Sequence, residues 1–312
     1  MAGVLGATRD WELWSTSCRL VVADPLTLAD ATALVDDELA RIERACSRFR
    51  PESELMTLHR NEEGAADLSP LLAKLVHAAL VAARESNGAV DPTLGAVLAG
   101  LGYDRDIADV RAGVERKPLV VVRRHAGWRS LRLEGRRLLM PPGAQLDLGA
   151  TAKAVAADRC ARLVHEQLGT GVLISLGGDI ATAGPTQTGG WQVTVQDLPC
   201  DVPQQITVHD GVAVTTSSNA KRTWSQDREP RHHLVDPLTR LPAAGGGAAS
   251  PWLPRHACAP TPPRRQPWSR ATTPFPGCAA RAFRLGSSPT KVPSSLSGAG
   301  PGRWRRDSVG SR

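Results

Sequence analysis

Asp147 and Lys153 lie on either side of a short glycine turn in the stretch QLDLGATAKAVAADR, residues 145–159. The residues before the turn alternate as in a strand, and those after it have the spacing of a helix. Backbone N–H groups at a helix start bind phosphate oxygens, and a lysine in the first turn adds a positive charge. The stretch therefore indicates an anion site. A strand end followed by an ordinary helix with a solvated lysine is the alternative.

Four other segments combine small residues with a polar or charged one at the end of a strand or helix. They are NGAVDPTLG (87–95), SLGGDIATAG (175–184), TTSSNAKR (215–222) and HHLVDP (232–237). Small residues let backbone amides approach a ligand closely. Each segment alone is also typical of a turn, a strand bulge or a surface loop. Together with the first stretch they predict the wall of a pocket for a phosphorylated ligand.

These segments need strands and helices to position them, and the patterns predict both. Helices are expected over 24–49, over 69–88 with Ser69 as N-cap, and from Lys153 onward. Strands are expected over 11–23, 118–122, 128–141 (a hairpin turning at Glu134-Gly135), 171–184, 191–198 and 212–218. Because strands and helices do not alternate strictly, the pattern favours an α+β fold of mixed sheets packed with helices.

The charge of the chain is distributed unevenly. Residues 241–312 contain 11 of the 38 basic residues and one of the 31 acidic ones, which leaves 27 bases and 30 acids in residues 1–240. The same tail contains 12 of the 24 prolines. Such a composition predicts disorder after residue 242. The net charge of +7 is therefore a property of the tail, and no nucleic-acid partner is expected.

No apolar run approaches the length of a membrane span, and no secretory leader pattern opens the chain. We therefore expect a cytoplasmic protein without a membrane segment. The six cysteines form no CxxC pair, so they are expected to be buried thiols and neither zinc ligands nor a disulfide framework.

Five motifs, in this order along residues 14–241, resemble those of the FAD:protein FMN transferases, the ApbE-type flavin transferases. The motifs are CSRFRPESEL (46–55), GAVDPTLGAVL (88–98), LDLGATAKAVAADR (146–159), LISLGGDIATAG (173–184) and HHLVDPLT (232–239). The resemblance implies an α+β protein that binds FAD with a divalent cation, usually Mg2+. It also implies transfer of FMN to a threonine or serine of an acceptor flavoprotein, with release of AMP.

The resemblance also assigns roles to individual residues. The cofactor-binding positions that it implies are Trp14, Phe49, Ala89, Val90, Asp91, Asp147, Lys153 and Val235. The backbone carbonyl of Ala150 matches a metal ligand. His233 matches the general base that takes a proton from the attacking hydroxyl, although only the resemblance selects it over the neighbouring His232.

The chain departs from the family pattern after HHLVDPLTR, where a helix with further metal ligands is expected and is absent. Residues 1–242 are therefore predicted to form a C-terminally truncated transferase domain, and residues 243–312 a Pro/Arg/Gly-rich tail. The composition of the tail is that expected for a GC-rich gene read out of frame. A chain without those ligands is expected to have little or no transferase activity. The alternative is an FAD-binding protein or FAD pyrophosphatase without transferase activity.

Overall fold

The computed structural model describes residues 6–60, 63–113, 127–186, 189–196, 202–215, 222–226 and 228–243, together with the backbone of 281–283. The helices are α1 (Leu28–Cys46), α2 (Glu54–His59), α3 (Pro70–Glu85), α4 (Gly95–Gly100), α5 (Ile107–Arg111) and α6 (Ala152–Leu168). The strands are β1 (Ala7–Leu13), β2 (Thr16–Val22), β3 (Ala65–Asp67), β4 (Arg132–Glu134), β5 (Arg137–Leu139), β6 (Val172–Leu176), β7 (Asp179–Ala183), β8 (Trp191–Val195), β9 (Gln204–Val208), β10 (Ala213–Thr215), β11 (Thr223–Gln226), β12 (Glu229–His232) and β13 (Arg281–Phe283).

The central feature is a six-stranded sheet in the order β1-β2-β6-β7-β10-β13, with every neighbouring pair antiparallel. Strand residues alternate between its two faces. On one face, residues such as Leu20 and Ile174 share a buried core with α1, α3 and α6, of which α1 and α6 contact the sheet. On the other face, Val21 and Leu173 pack against the β8–β9 hairpin. This three-layer arrangement confirms the predicted α+β fold.

Two of the predicted strands, 11–23 and 171–184, are hairpins. The stretch 11–23 is divided by a two-residue turn at Trp14-Ser15, and β1 and β2 pair from Leu13 opposite Thr16. The stretch 171–184 turns at Gly177-Gly178. Apolar residues stand on both sides of each turn, so an apolar stretch alone does not show the break; the phase of the alternation changes there, from odd to even numbers in the first stretch and from even to odd in the second.

Several predicted elements are observed close to their expected bounds. Ser69 caps α3 by accepting the N–H of Leu72 at 3.1 Å, and Pro70 is the first helical residue. The hairpin predicted over 128–141 forms over 132–139 and turns at Gly135-Arg136, one residue later than expected, whereas residues 128–130 form a 3-10 helix. The strand expected over 118–122 lies outside the described residues.

Part of the C-terminal tail has a described backbone. Residues 281–283 form β13, which pairs with β10 as the sixth strand of the central sheet. No strand was expected at this position. Residues 244–280 and 284–312 lie outside the described residues, so the predicted disorder there stays a prediction.

Within the described part of the chain, no helix combines the length and hydropathy needed to cross a membrane. The described cysteines are free thiols, with Cys18 and Cys160 buried and Cys46 partly buried.

Candidate functional site

Two hairpin turns lie side by side at one end of the central sheet, which we call the turn end. Trp14 and Ser15 join β1 to β2 with φ of 52° and 51°, and Gly177 and Gly178 join β6 to β7 with φ of 64° and 99°. The N–H of Gly177 donates to the carbonyl of Ser17 at 2.9 Å, which ties the turns together. Two-residue hairpin turns require positive φ, which glycine adopts freely and tryptophan rarely does. The backbone at Trp14 is therefore strained by its place in the fold.

Gly177 is required for this close approach. A Cβ at this position would lie 2.1 Å from Oγ1 of Thr16, in a backbone conformation that already disfavours side chains. Only glycine is compatible with both conditions. The tight turn leads directly into Asp179, the first residue of β7.

Lys153 reaches the same end of the sheet from the start of α6. Its Nζ lies 3.2 Å from Oδ2 of Asp179, and the two side chains are only 18% and 10% exposed. The lysine is therefore largely buried and paired with a carboxylate. The alternative of a solvated helix lysine is wrong for this structure.

The turn before α6 leaves backbone carbonyls available for a ligand. The carbonyl of Leu148 accepts the N–H groups of Thr151 and Ala152 at 3.0 and 2.8 Å. Gly149 and Ala150 are both exposed, and their carbonyls accept none of the backbone hydrogen bonds found among the described residues. This geometry is compatible with the role of metal ligand predicted for Ala150, because Mg2+ prefers oxygen ligands.

The side chain of Asp147 is held on both sides. Its Oδ1 accepts the N–H of Gly149 at 2.7 Å, and its Oδ2 forms an ion pair with Nε of Arg48. The backbone N–H of Asp147 donates to the carbonyl of Pro92 at 2.8 Å. The Asp147 turn and the GAVDPT loop are therefore neighbours, as the pocket hypothesis requires.

Asp91 organises the GAVDPT loop. Its Oδ1 accepts the N–H and the hydroxyl of Thr93 at 2.8 and 2.6 Å, and its Oδ2 accepts the N–H of Trp128 at 3.1 Å. The N–H of Val90 donates to Oγ of Ser86 at 2.9 Å. Oδ1 of Asp91 therefore stabilises its own loop, and Oδ2 joins the loop to Trp128. Ala89 is exposed and Val90 is partly exposed in this loop.

Phe49 belongs to an aromatic cluster that the sequence did not reveal. Its ring lies 5.5 Å from that of Tyr103, and the ring of Tyr103 stacks on Trp224 at 5.2 Å. The Nε1 of Trp224 donates to the carbonyl of Leu101 at 2.8 Å. Phe49 is 37% exposed, so it forms the accessible edge of a supported aromatic surface.

His233 follows β12 directly and is partly buried. Burial, followed by the positive charges of Arg222, Lys153 and His232, lowers the pKa of His233 to about 4. The Nδ1 of His233 is buried and has no hydrogen-bond partner within the described ranges. The imidazole is therefore neutral at physiological pH, as a proton acceptor must be.

Arg222, the last residue of the segment TTSSNAKR, connects these groups. Its Nη2 donates to the carbonyl of Trp14 at 3.2 Å. Its charge also acts on Tyr103, whose pKa is raised by burial against the opposing effects of Arg222 and Arg48. The turn end, His233 and the aromatic cluster are thus parts of one site.

Val235 lies at the edge of this site. It forms an isolated antiparallel bridge with Pro242, and its side chain packs against the cluster that contains Tyr103 and Trp224. The structure therefore brings Val235 close to the aromatic surface through its packing.

The metal site is incomplete in the described part of the chain. No group of three or more His, Cys, Asp or Glu side chains there could hold a metal ion. The Ala150 carbonyl alone does not meet the octahedral oxygen coordination of Mg2+. The residues described do not form a magnesium site by themselves.

The chain is similar to proteins of one family along most of its length. The ApbE family model matches residues 14–250. The FAD:protein FMN transferase of Treponema pallidum is 30% identical over 252 residues, covering 73% of this chain and 68% of that protein. The FAD:protein FMN transferase of Salmonella typhimurium is 27% identical over 248 residues, covering 74% and 67%.

Solved structures give the same result. The crystal structure of the ApbE protein of Thermotoga maritima has a TM-score of 0.65 at 26% identity, covering 77% of this chain and 79% of that one. The apo flavinyl transferase ApbE of Pseudomonas stutzeri has a TM-score of 0.60 at 20% identity, covering 76% of each chain, a likeness of fold alone. With the family model matching most of its length and these motifs gathered at one end of its sheet, the chain belongs to the ApbE family.

Proposed function

We propose that this chain binds FAD at the turn end of the central sheet and is an FAD:protein FMN transferase. The observation that carries the proposal is the gathering of Arg222 and Lys153 around His233, with Arg222 also bonded to the carbonyl of Trp14. Three cationic or basic groups beside an aromatic surface suit a ligand that has both a pyrophosphate and a flavin ring. The names of the curated relatives support the same activity.

Each group has a distinct role in this proposal. Lys153 and the N–H groups at the start of α6 bind the pyrophosphate, because cations and helix starts stabilise phosphate oxygens. Phe49 contacts the flavin ring. Ala89 and Val90 line the pocket. Asp91 and Asp147 fix the loops that border the pocket. Trp14 and Val235 form the rest of its walls.

The transfer step needs a base for an acceptor hydroxyl. A threonine or serine oxygen of an acceptor flavoprotein attacks the phosphorus of the FMN half, the P–O bond to the AMP half breaks, and AMP leaves. His233 takes the hydroxyl proton, for which its neutral imidazole is suited. The resemblance implies Mg2+, which would stabilise negative charge on the phosphates if it were bound; the Ala150 carbonyl would be one ligand, and the described residues do not complete a site for it. We propose a cytoplasmic location, where FAD is available.

The incomplete metal site favours a second candidate, an FAD-binding protein or FAD pyrophosphatase without transferase activity. The two candidates differ in their products. Purified chain is incubated with FAD and Mg2+, with and without an acceptor flavoprotein of a relative, and AMP and protein-bound flavin are measured.

Flavin covalently attached to the acceptor, together with AMP, supports the transferase. AMP without attached flavin supports the pyrophosphatase, and bound FAD without AMP supports a binding protein. A folded chain that does not bind FAD would contradict all three.

A further inference from the structure

Arg48 is almost enclosed at the site, and the motif comparison gives it no role. Its side chain is only 10% exposed. Its Nε forms the ion pair with Asp147, and its Nη1 donates to the carbonyl of Tyr103. One guanidinium group therefore links the end of α1 to the turn before α6 and to the loop between α4 and α5.

The guanidinium also contacts two aromatic rings. Its central carbon lies 4.3 Å from the ring centroid of Phe49 and 4.5 Å from that of Tyr103. A planar cation at this distance is attracted to the face of an aromatic ring. Because Tyr103 stacks on Trp224, Arg48 also connects the β11–β12 hairpin to the site.

This arrangement depends on the shape of arginine. A guanidinium offers several N–H donors in one rigid plane and stacks on rings, whereas lysine offers a compact ammonium on a flexible stem. Lysine at position 48 could pair with Asp147, but it could not also reach the Tyr103 carbonyl and cover both rings in the same geometry.

One nitrogen of the guanidinium group makes no hydrogen bond to the described residues. The Nη2 of Arg48 is buried and has no hydrogen-bond partner among the described residues. Buried polar groups in folded proteins are nearly always paired, and the exceptions cluster at functional sites. Stability alone therefore does not explain an arginine here.

We propose that Arg48 is a positioning residue that fixes the flavin end of the FAD site. It holds Asp147 with one edge and orients the rings of Phe49 and Tyr103 with its plane, so that Phe49 presents a fixed surface to the flavin. This inference rests on the proposed function, since it assumes that Phe49 faces the flavin. It predicts that Arg48 matters for ligands with a flavin ring and not for the adenine nucleotide half.

The experiment compares three ligands, FAD, FMN and ADP, by titration calorimetry on the full chain and its variants. Arg48→Met should weaken binding of FAD and FMN by roughly tenfold or more, equivalent to about 1.4 kcal/mol, and leave ADP binding within about twofold of the original. Arg48→Lys should not restore FMN binding. Arg50→Met is the matched control, because Arg50 is 49% exposed and pairs only with Glu43 and Glu52 among the described residues.

A merely structural role would give a different pattern. Equal losses for FMN and ADP, unchanged FMN binding, or full rescue by Arg48→Lys would each overturn the proposal. If Arg48→Met does not fold, Arg48→Lys, which keeps the charge beside Asp147, decides the matter by the same comparison of FMN with ADP. Absence of FAD binding by the unmodified folded chain contradicts the proposed function itself, and it is seen before any variant is compared.

Discussion

The ammonium group of Lys153 lies 3.2 Å from the carboxylate of Asp179, and both side chains are largely shielded from water. The pair joins the start of α6 to the start of β7. Asp179 follows the glycine turn that packs against Thr16. The position of the lysine therefore depends on the β6–β7 hairpin and, through it, on the β1–β2 hairpin.

Replacing Lys153 by methionine should weaken FAD binding by roughly tenfold to a hundredfold, the usual value of a hydrogen bond to a charged group. Asp179→Asn should have a smaller effect in the same direction, because the lysine keeps its charge but loses its fixed partner. Calorimetric titration with FAD measures both. Lys74→Met is the control, since Lys74 is exposed on α3; a loss of affinity in this variant as large as in Lys153→Met would mean that overall charge matters and not the site.

Replacing His233 by alanine should reduce FMN transfer roughly 100- to 10,000-fold while FAD stays bound, since a positioned general base contributes about this much. The activity should be tested in this chain and in a chimera that carries the C-terminal region of the Treponema pallidum relative, which tests whether that region supplies the metal ligands that the resemblance implies. Because the pKa of His233 is lowered to about 4, the base form is present above that pH, and activity should fall only as the pH drops through about 4. His232→Ala is the comparison: if it abolishes transfer and His233→Ala does not, the base is His232.

The free energy of unfolding should fall between about pH 6.5 and pH 4 because of His59. Its Nε2 accepts the N–H of Leu146 at 2.7 Å, so the folded state needs the neutral ring. Burial lowers the pKa of His59 to about 4 from an ordinary value of 6.5; Arg48 and Arg60 act in the same direction and Asp147 opposes them. In this window the unfolded chain binds a proton that the folded chain does not, so stability is complete above about pH 6.5 and is lost as the pH falls.

The expected slope for this histidine is at most about 1.4 kcal/mol per pH unit. Urea unfolding at a series of pH values measures it. His59→Gln, whose amide oxygen can accept the same N–H, should remove this contribution and leave that of His233, whose pKa is also lowered. An unchanged slope in His59→Gln would show that His59 is not responsible.

Replacing Gly177 by alanine should destabilise the fold more than replacing Gly135. Both glycines have positive φ, of 64° and 61°, but a Cβ at Gly135 meets no atom within 4 Å. Gly135→Ala should therefore show only the backbone cost of about 1–2 kcal/mol. Gly177→Ala should add about 1–3 kcal/mol for the contact with Thr16. Equal changes in thermal unfolding would mean that the two hairpin turns are not packed together as described.

Local patterns were sufficient for much of the fold. The Ser69-Pro70 start of α3 combines a capping hydroxyl with a proline at the first helical position, and these signals act over three residues. The β1–β2 turn was missed because Trp14 and Ser15 are not typical turn residues. Their positive φ is imposed by the fold and cannot be predicted from their own preferences.

Short motifs mark only part of the candidate site. Asp147 and Lys153 stand in a recognisable strand-turn-helix sequence, and the structure holds both at the site. Tyr103 and Trp224 stand in stretches without such a mark, and they meet only because α5 packs against β11. Contacts between residues separated by more than a hundred positions leave no periodicity in a single sequence.

The hydrogen bond from Arg222 to the carbonyl of Trp14 joins residues separated by 208 positions. Closing so long a loop has an entropic cost that must be met before the contact can contribute to stability. During synthesis on the ribosome, the first turn of this site is made long before its partner arginine emerges. The pocket is therefore expected to be completed late in folding, and the first two hundred residues alone should not bind FAD.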